Sequence, residues 1–542
     1  MNLIKKLKNK KVYELLFKII ICFSSPFFTI LLSNRFEVKH IFIGALFSLI
    51  IIIVLSFRFI KIKTINLKRI ILSTLIALYV VNKLLSFAQN NILMIQKGVY
   101  DIINLNLNFD ITSKLLGVFA LPFTIFIAYL FINNIIPYVK TFFKSLSKNE
   151  KNYLIIIGII GGVVAMLLTF NTSAFSKTYY NNQLVYYDVI YTSDSGVLTS
   201  EDTFFNVSYL ENDVRQPLFG IFALPFAVIA SVLSEICFFL PTGFEYEVLL
   251  TVIQFLLTAI TTIMLARLLN IEEKDKKYFY MLFAVSFPYL LFNIVVEQYV
   301  ISLFYLVLAI YLYYKNNDKI NYVYIGAVGT MLTSGIIFPL ITKFKGLKNW
   351  IKDVFKCFIA FLTTLIIGGQ FPQLLIGGDR LGGLTGEFIG KVGWGDKLNQ
   401  FTHFVKNIFI SSNGQVKMLY DHPSYQLKYF ETISILGIII LLLVILSFVL
   451  NRKEKLAKIS FLWVLFSVFV LFIMGWGTFE NGLILYSLYF AWAYIILIYL
   501  LLKKLIKNRK IFISFIVILI SVMLFFNLSE LLNIIKFALK YY

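Results

Sequence analysis

Cysteine, histidine and charge are all scarce in this chain. It has three cysteines in 542 residues, and Cys22 and Cys357 sit in or beside apolar runs, so neither a disulfide framework nor a thiolate metal site follows. Its three histidines, His40, His403 and His422, are too scattered for a metal cluster. Charged residues make up only 14%, well below the usual share in a soluble domain. The apolar runs do not alternate with polar residues, which excludes the strands of a membrane β-barrel.

What is present is hydrophobic: 59% of residues. Apolar runs of about 20 residues recur from end to end, each long enough to cross a hydrocarbon core of roughly 30 Å. The fold class is therefore all-α and polytopic, with about 13–15 membrane helices. The net charge of +22 does not mark a nucleic-acid partner, because the lysines cluster in short loops between apolar runs, as the positive-inside bias requires. Lys5, Lys6, Lys8, Lys10 and Lys11 precede the first run, which reads as a retained anchor without a small-residue cleavage site. The expected location is the cell membrane, with the N-terminus cytoplasmic.

From that start, spans near 12–33, 41–57, 70–88, 114–137 and 153–171 alternate cleanly. The basic clusters at 58–69 and 140–151 then fall inside, and the acidic segment 172–214 falls outside. The next two apolar stretches, 217–240 and 247–267, create a conflict. If both crossed, Arg267, Lys274, Lys276 and Lys277 would lie outside, and every later lysine cluster would be inverted. The stretch 217–240 carries Gly220, Pro225, Ser231, Ser234 and Glu235. It is expected to be an outer juxtamembrane or re-entrant helix, tolerated where protein or a water-filled cavity satisfies its polar groups. The alternative is that both cross and the charge rule fails once.

Further spans are expected near 278–296 and 299–314, joined by an outer turn at Glu297 and Gln298. The run 321–342, broken at Thr333-Ser334-Gly335, reads as one kinked helix or a pair of short ones, with parity favouring the pair. A span near 357–375 leads to a second outer loop, 376–430, rich in glycine and read as mobile. Trp394 and Tyr420 in it are able to stack on sugar rings, although a plain linker fits equally. Spans near 432–450, 459–475, 482–502 and 511–527 follow, and 529–542 reads as a surface helix or a frayed tail. Four regions result: 1–150, additional N-terminal helices; 151–375, a core with outer loop 172–246; 376–430; and 431–542.

The order of a span, an acidic outer loop and a basic-Gln-Pro-Leu element opening a non-crossing apolar segment carries a resemblance. Thr192-Ser193-Asp194-Ser195 and Arg215-Gln216-Pro217-Leu218, with Glu297 and the Thr333-Ser334-Gly335 break, resemble the GT-C membrane glycosyltransferases over roughly 153–375. That superfamily includes protein O-mannosyltransferases and lipid A aminoarabinose transferases. The match departs from the family where Gln216 replaces the first proline of the usual pair, and where a single Asp is followed by Ser.

The resemblance implies an inverting sugar transfer on the outer face, from a polyprenyl-phosphate sugar to a cell-surface glycan, lipid or protein. Asp194 is the expected base, with Asp202 and Glu201 as rivals. Arg215 binds phosphate or braces the loop, Gln216 belongs to the same substrate-binding element, and Glu297 orients the acceptor or a catalytic partner. No cofactor is expected; a divalent metal on carboxylates stays open. Each residue also has a plainer reading: Asp194 as a solvated turn residue, Asp202 or Ser200 as a helix cap, Arg215 as a snorkelling cation. Glu297 resists that, since a carboxylate near membrane depth is costly, unless a short turn puts it in water. The competing functions are a lipid-linked saccharide transporter or flippase and a polysaccharide polymerase.

Overall fold

Inside a bilayer every backbone N–H and C=O needs an internal partner, so apolar runs of this length become helices. The computed structural model describes residues 10–33, 38–59, 66–89, 92–93, 95–97, 100, 108–176, 178–185, 187–193, 195–199, 215–237, 243–317, 320–337, 346–371, 389, 392–428, 430–478 and 482–542. The first helices are α1 (Lys10–Leu32), α2 (Val38–Phe59), α3 (Leu67–Phe87), α4 (Phe109–Lys144) and α5 (Lys148–Asn171). A small hairpin, β1 (Thr178–Tyr180) and β2 (Gln183–Val185), precedes α6 (Phe219–Ile236), α7 (Glu245–Leu268), α8 (Lys276–Ala284) and α9 (Phe287–Ile294). Then come α10 (Gln298–Tyr314), α11 (Ile320–Thr330), α12 (Leu347–Ile367) and α13 (Trp394–Phe409). A second hairpin, β3 (Gly414–Leu419) and β4 (His422–Leu427), leads to α14 (Ile435–Asn451), α15 (Lys455–Ser467), α16 (Ser487–Leu505) and α17 (Arg509–Tyr541).

Among the described residues ten helices are long and apolar enough to cross a membrane, by length and composition, and α10 and α14 are shorter apolar helices. The architecture is that of an all-α, multi-pass membrane protein. Four stretches depart from the expected spans. Where a span near 357–375 is expected, α12 runs from Leu347 to Ile367 and is not one of the ten, and 372–375 lie outside the described residues. The run 278–296 breaks at Ser286, where Pro288 opens a new helix, because proline is well placed only in a helix's first turn. The run 321–342 ends its helix at Thr330 and continues as a tighter turn, Leu332–Ile337; residues 338–342 lie outside the described set. The tail is neither frayed nor a separate surface helix. It continues α17 to Tyr541, with Leu531, Ile534, Phe537 and Ala538 buried.

The chain forms two compact units: 1–146 with 202–228 and 345–380, and 147–201 with 229–344 and 381–542. In the first, α1 packs on α2, α4 and α12. The Thr29 hydroxyl donates to the Ile367 carbonyl and shares a second hydrogen bond with the Ser48 hydroxyl. Pro122 lies inside α4 and disturbs the backbone ladder around it. The Ser24 hydroxyl of α1 repairs this by accepting the Phe123 N–H at 2.9 Å and donating to the Phe119 carbonyl at 2.5 Å. Ser24→Ala is expected to destabilise the protein by roughly 1–3 kcal/mol, measured as a lower unfolding midpoint in detergent.

In the second unit α5 and α7 run antiparallel along their length. Glu150 meets Arg267 at one end, Phe255 fills the space a Cβ at Gly161 would need, and Ala165 packs on Val248 towards the other. The loop 376–430 is structured over much of its length. Its helix α13 buries Phe401, Phe404, Val405, Ile408 and Phe409, at the spacing of one helix face. The Gly-rich start of that loop, 377–386, is outside the described residues.

His403 on α13 stacks on Phe430, ring centroids 3.8 Å apart. In the tautomer with its proton on Nε2, it donates to the Thr432 carbonyl at 3.1 Å. Burial, helped by Lys406 and opposed by the Thr432 bond, holds its pKa below the ordinary histidine value. The unfolded chain therefore binds the extra proton first. Stability is complete above the unfolded pKa near 6.5 and falls as pH drops from there towards the folded pKa. The unfolding midpoint should be lower at pH 5.5 than at pH 7.5, with a smaller difference in His403→Asn.

Candidate functional site

The two ends of the second unit differ chemically. One end collects charged pairs: Arg267 and Lys276 on Glu150, and Arg509 on Asp275. The other end carries Thr172, the loop 187–193, the hairpin β3–β4 and the end of α17. There Thr172 donates to the Ala538 carbonyl, and the Ser173 N–H donates to that of Tyr542. The described segments 172–193 and 411–428 thus lie at the end away from the ion pairs.

The loop leading to position 194 is built into that face. Asp188 and Tyr191 take left-handed backbone conformations (φ 59° and 55°). The Asp188 N–H donates to the Ser193 carbonyl at 2.9 Å, closing a tight turn. Val189 to Tyr191 then lie beside β4: the Tyr425 N–H donates to Val189 at 2.9 Å, and the Tyr191 N–H to Tyr425 at 2.6 Å. Gln426 and Ser424 donate to the Tyr191 and Asp188 carbonyls. The hydroxyl oxygens of Thr192 and Ser193 are buried without a hydrogen-bond partner among the described residues.

Glu530 of α17, 2% exposed, ties these parts together. It accepts from the Gly414 N–H at 2.7 Å, the Tyr425 hydroxyl at 2.8 Å and the Tyr191 hydroxyl at 3.4 Å. Burial first, and then the Glu530 carboxylate, push both phenols above the ordinary tyrosine range, so they stay O–H donors. Asn527, one turn earlier and fully buried, donates to the Val285 and Phe409 carbonyls and accepts the Ser411 N–H.

A second polar region lies deeper. Glu247, Thr251, Gln254 and Thr258 are buried on one face of α7, at a spacing that keeps them in line along a helix. Two of them meet the junction of α9 and α10. Thr258 donates to Asn293 at 2.7 Å, and Gln254 donates to the Glu297 carbonyl at 3.2 Å. Glu297 is 1% exposed and caps α10 by accepting the Gln298 N–H. Gln254 lies nine residues into α7, about 14 Å along its axis, so Glu297 does not sit in a solvated turn. The side-chain oxygens of Gln254 and Gln298 are buried with no partner among the described residues. Tyr299 packs on Tyr486 and Tyr489, and Tyr489 hydrogen-bonds Ser334. The Glu297 break and the Thr333-Ser334-Gly335 break thus meet on α16.

Of the expected site residues, Asp194, Glu201 and Asp202 lie outside the described residues. Arg215 and Gln216 belong to the first unit, in the turn that opens α6, where the Gln216 carbonyl accepts the Phe219 N–H. Gln216 is buried. Trp394 and Tyr420 are 64% and 76% exposed. Sequence reading missed the α7 polar face, although its spacing is legible in an apolar helix, and it missed Glu530, which has no local signal. Among the described residues no group of three or more His, Cys, Asp or Glu is placed to hold a metal ion. No family model, curated protein or solved structure matches the chain.

Proposed function

We propose that this chain is a membrane glycosyltransferase moving a sugar from a polyprenyl-phosphate donor to a glycan, lipid or protein acceptor on the outer face. The observation that carries the reading is the antiparallel pairing of α5 with α7. If both cross, the chain returns to the face it left, and a single crossing by α6 would break that. Helix α6, though long and apolar enough to span, then fits an outer juxtamembrane helix behind an acidic loop. That is the order on which the GT-C resemblance rests.

The rigid mounting of 187–193 supports Asp194 as the base, since a catalytic carboxylate needs a fixed platform. The carboxylate takes the proton of the acceptor hydroxyl as its oxygen attacks the anomeric carbon. The bond from that carbon to the phosphate oxygen breaks, polyprenyl phosphate leaves, and the configuration inverts. Arg215 meets the phosphate charge, Gln216 shapes the same element, and Asp202 and Glu201 are the alternative bases. Glu297 orients the acceptor or a catalytic partner.

Asp194→Asn is expected to slow transfer about 10²–10⁴-fold in membranes given labelled polyprenyl-phosphate sugar. Full transfer by a well-expressed variant would remove Asp194 from the role. The buried face of α7 against Glu297 favours a second reading, a lipid-linked saccharide transporter, because ionisable groups inside a helical bundle line such paths. Loss of flipping in Glu297→Gln, with Asp194→Asn unaffected, would select it.

A further inference from the structure

The end of the second unit that carries the ion pairs also holds a cavity of about 480 Å³, where α7, α10, α14 and α16 end and α15 begins. Lys453, Lys455, Lys503 and Lys504 line it against a single acid, Glu454. Among the described residues no carboxylate lies within ion-pair distance of these four lysines. The hydroxyl of Tyr314, in the same lining, is buried with no hydrogen-bond partner among the described residues.

Lysines at helix C-termini ordinarily need no further explanation, because they meet the negative end of the dipole. That accounts for Lys503 and Lys504, in the last turn of α16. It does not account for Lys455, the first residue of α15, or for Lys453 in the turn before it. A cation at a helix N-terminus has the wrong sign. That N-terminus also lacks a side-chain cap, which leaves its first N–H groups as donors for an anion. The cavity therefore offers lysine ammonium groups and helix-end amides, an anion-binding set. Its remaining walls include Leu268, Leu456 and Leu500, so an acyl chain attached to the anion has apolar surface to follow.

We propose that this cavity binds a phosphate group carried on a membrane lipid. By the positive-inside bias it opens to the cytoplasmic leaflet, where anionic headgroups are held by basic pockets between helices. The site is independent of the outer-loop chemistry.

The test is thermal unfolding of the full-length protein in detergent, titrated with phosphatidylglycerol, phosphatidylcholine or inorganic phosphate. Phosphatidylglycerol should raise the midpoint, with phosphatidylcholine and millimolar phosphate leaving it unchanged. Lys453→Gln and Lys455→Gln should each weaken the phosphatidylglycerol effect about fivefold. No stabilisation of the wild type by phosphatidylglycerol, or equal stabilisation of the double variant, would overturn the site. Stabilisation by inorganic phosphate alone would overturn its assignment to a lipid. If the double variant does not fold, Lys503→Gln and Lys504→Gln decide the matter, with bound phosphatidylglycerol counted by native mass spectrometry. Wild-type retention in both overturns the proposal.

Discussion

Replacing Glu530 by alanine is expected to lower stability by roughly 3–5 kcal/mol and to release the loop that leads to Asp194. The carboxylate accepts from a backbone N–H and two tyrosine hydroxyls, on three separate pieces of chain: 187–193, β3 and β4. Alanine would leave those donors facing a gap, and each buried donor left unmet costs about 1–3 kcal/mol. The total falls short of the sum because the gap can admit water and neighbours can shift. Glu530→Gln keeps an acceptor oxygen and should lose less. The measurement is the unfolding midpoint in detergent together with amide exchange at Tyr191 and Tyr425, whose N–H groups join the loop to β4. If alanine leaves both the midpoint and that protection unchanged, Glu530 does not hold the loop.

Glu530 also marks the limit of what the sequence made legible. The long helices were readable because apolar length alone decides them, and α1 to α5 and α7 fall close to the expected spans. Breaks were less readable, since they depend on partners. Ser286 interrupts a run that is apolar on both sides, and the Val285 carbonyl freed there is taken up by Asn527, far along the chain. The hairpin β3–β4 turns at Tyr420 and Asp421, with φ of 46° and 69°, without the Asn-Gly signal that usually announces such a turn. Helix α13 has a clear apolar period, but it follows a glycine-rich stretch that suggests a loop.

Of the candidate site, Glu297 stood out in the sequence by type and position, yet its burial against Gln254 depends on a helix break that periodicity does not reveal. Charge parity asks that 217–240 not cross. Helix α6 is long and apolar enough to span, and its proposed outer placement rests on the antiparallel pairing of α5 with α7.

That pairing makes Glu150 the second position where a large effect is expected. Glu150→Ala should destabilise the protein by roughly 3–5 kcal/mol, because it strands two cations that are themselves mostly buried, Arg267 and Lys276 at 15% and 12% side-chain exposure. The carboxylate, 1% exposed, receives Arg267 through Nε at 2.9 Å and Nη2 at 2.5 Å, and Lys276 at 2.9 Å. It also accepts the Ser147 N–H at 2.9 Å, completing the cap of α5. Removing both charges together is a different matter, since a buried ion pair can often be replaced by apolar residues at little cost. Glu150→Leu with Arg267→Met should therefore recover much of what Glu150→Ala loses, with Lys276 still paired to Glu273. Unfolding midpoints of the two single variants and the double one form the cycle that measures this. If the double variant is stable and its loop 269–275 labels from the same side as in the wild type, the ion pair is not needed to set the orientation of α5 and α7. The lysine clusters beyond them would then carry it. If the double variant is stable but its topology is mixed, the pair itself holds the two helices in the orientation on which the proposed outer placement of Asp194 depends.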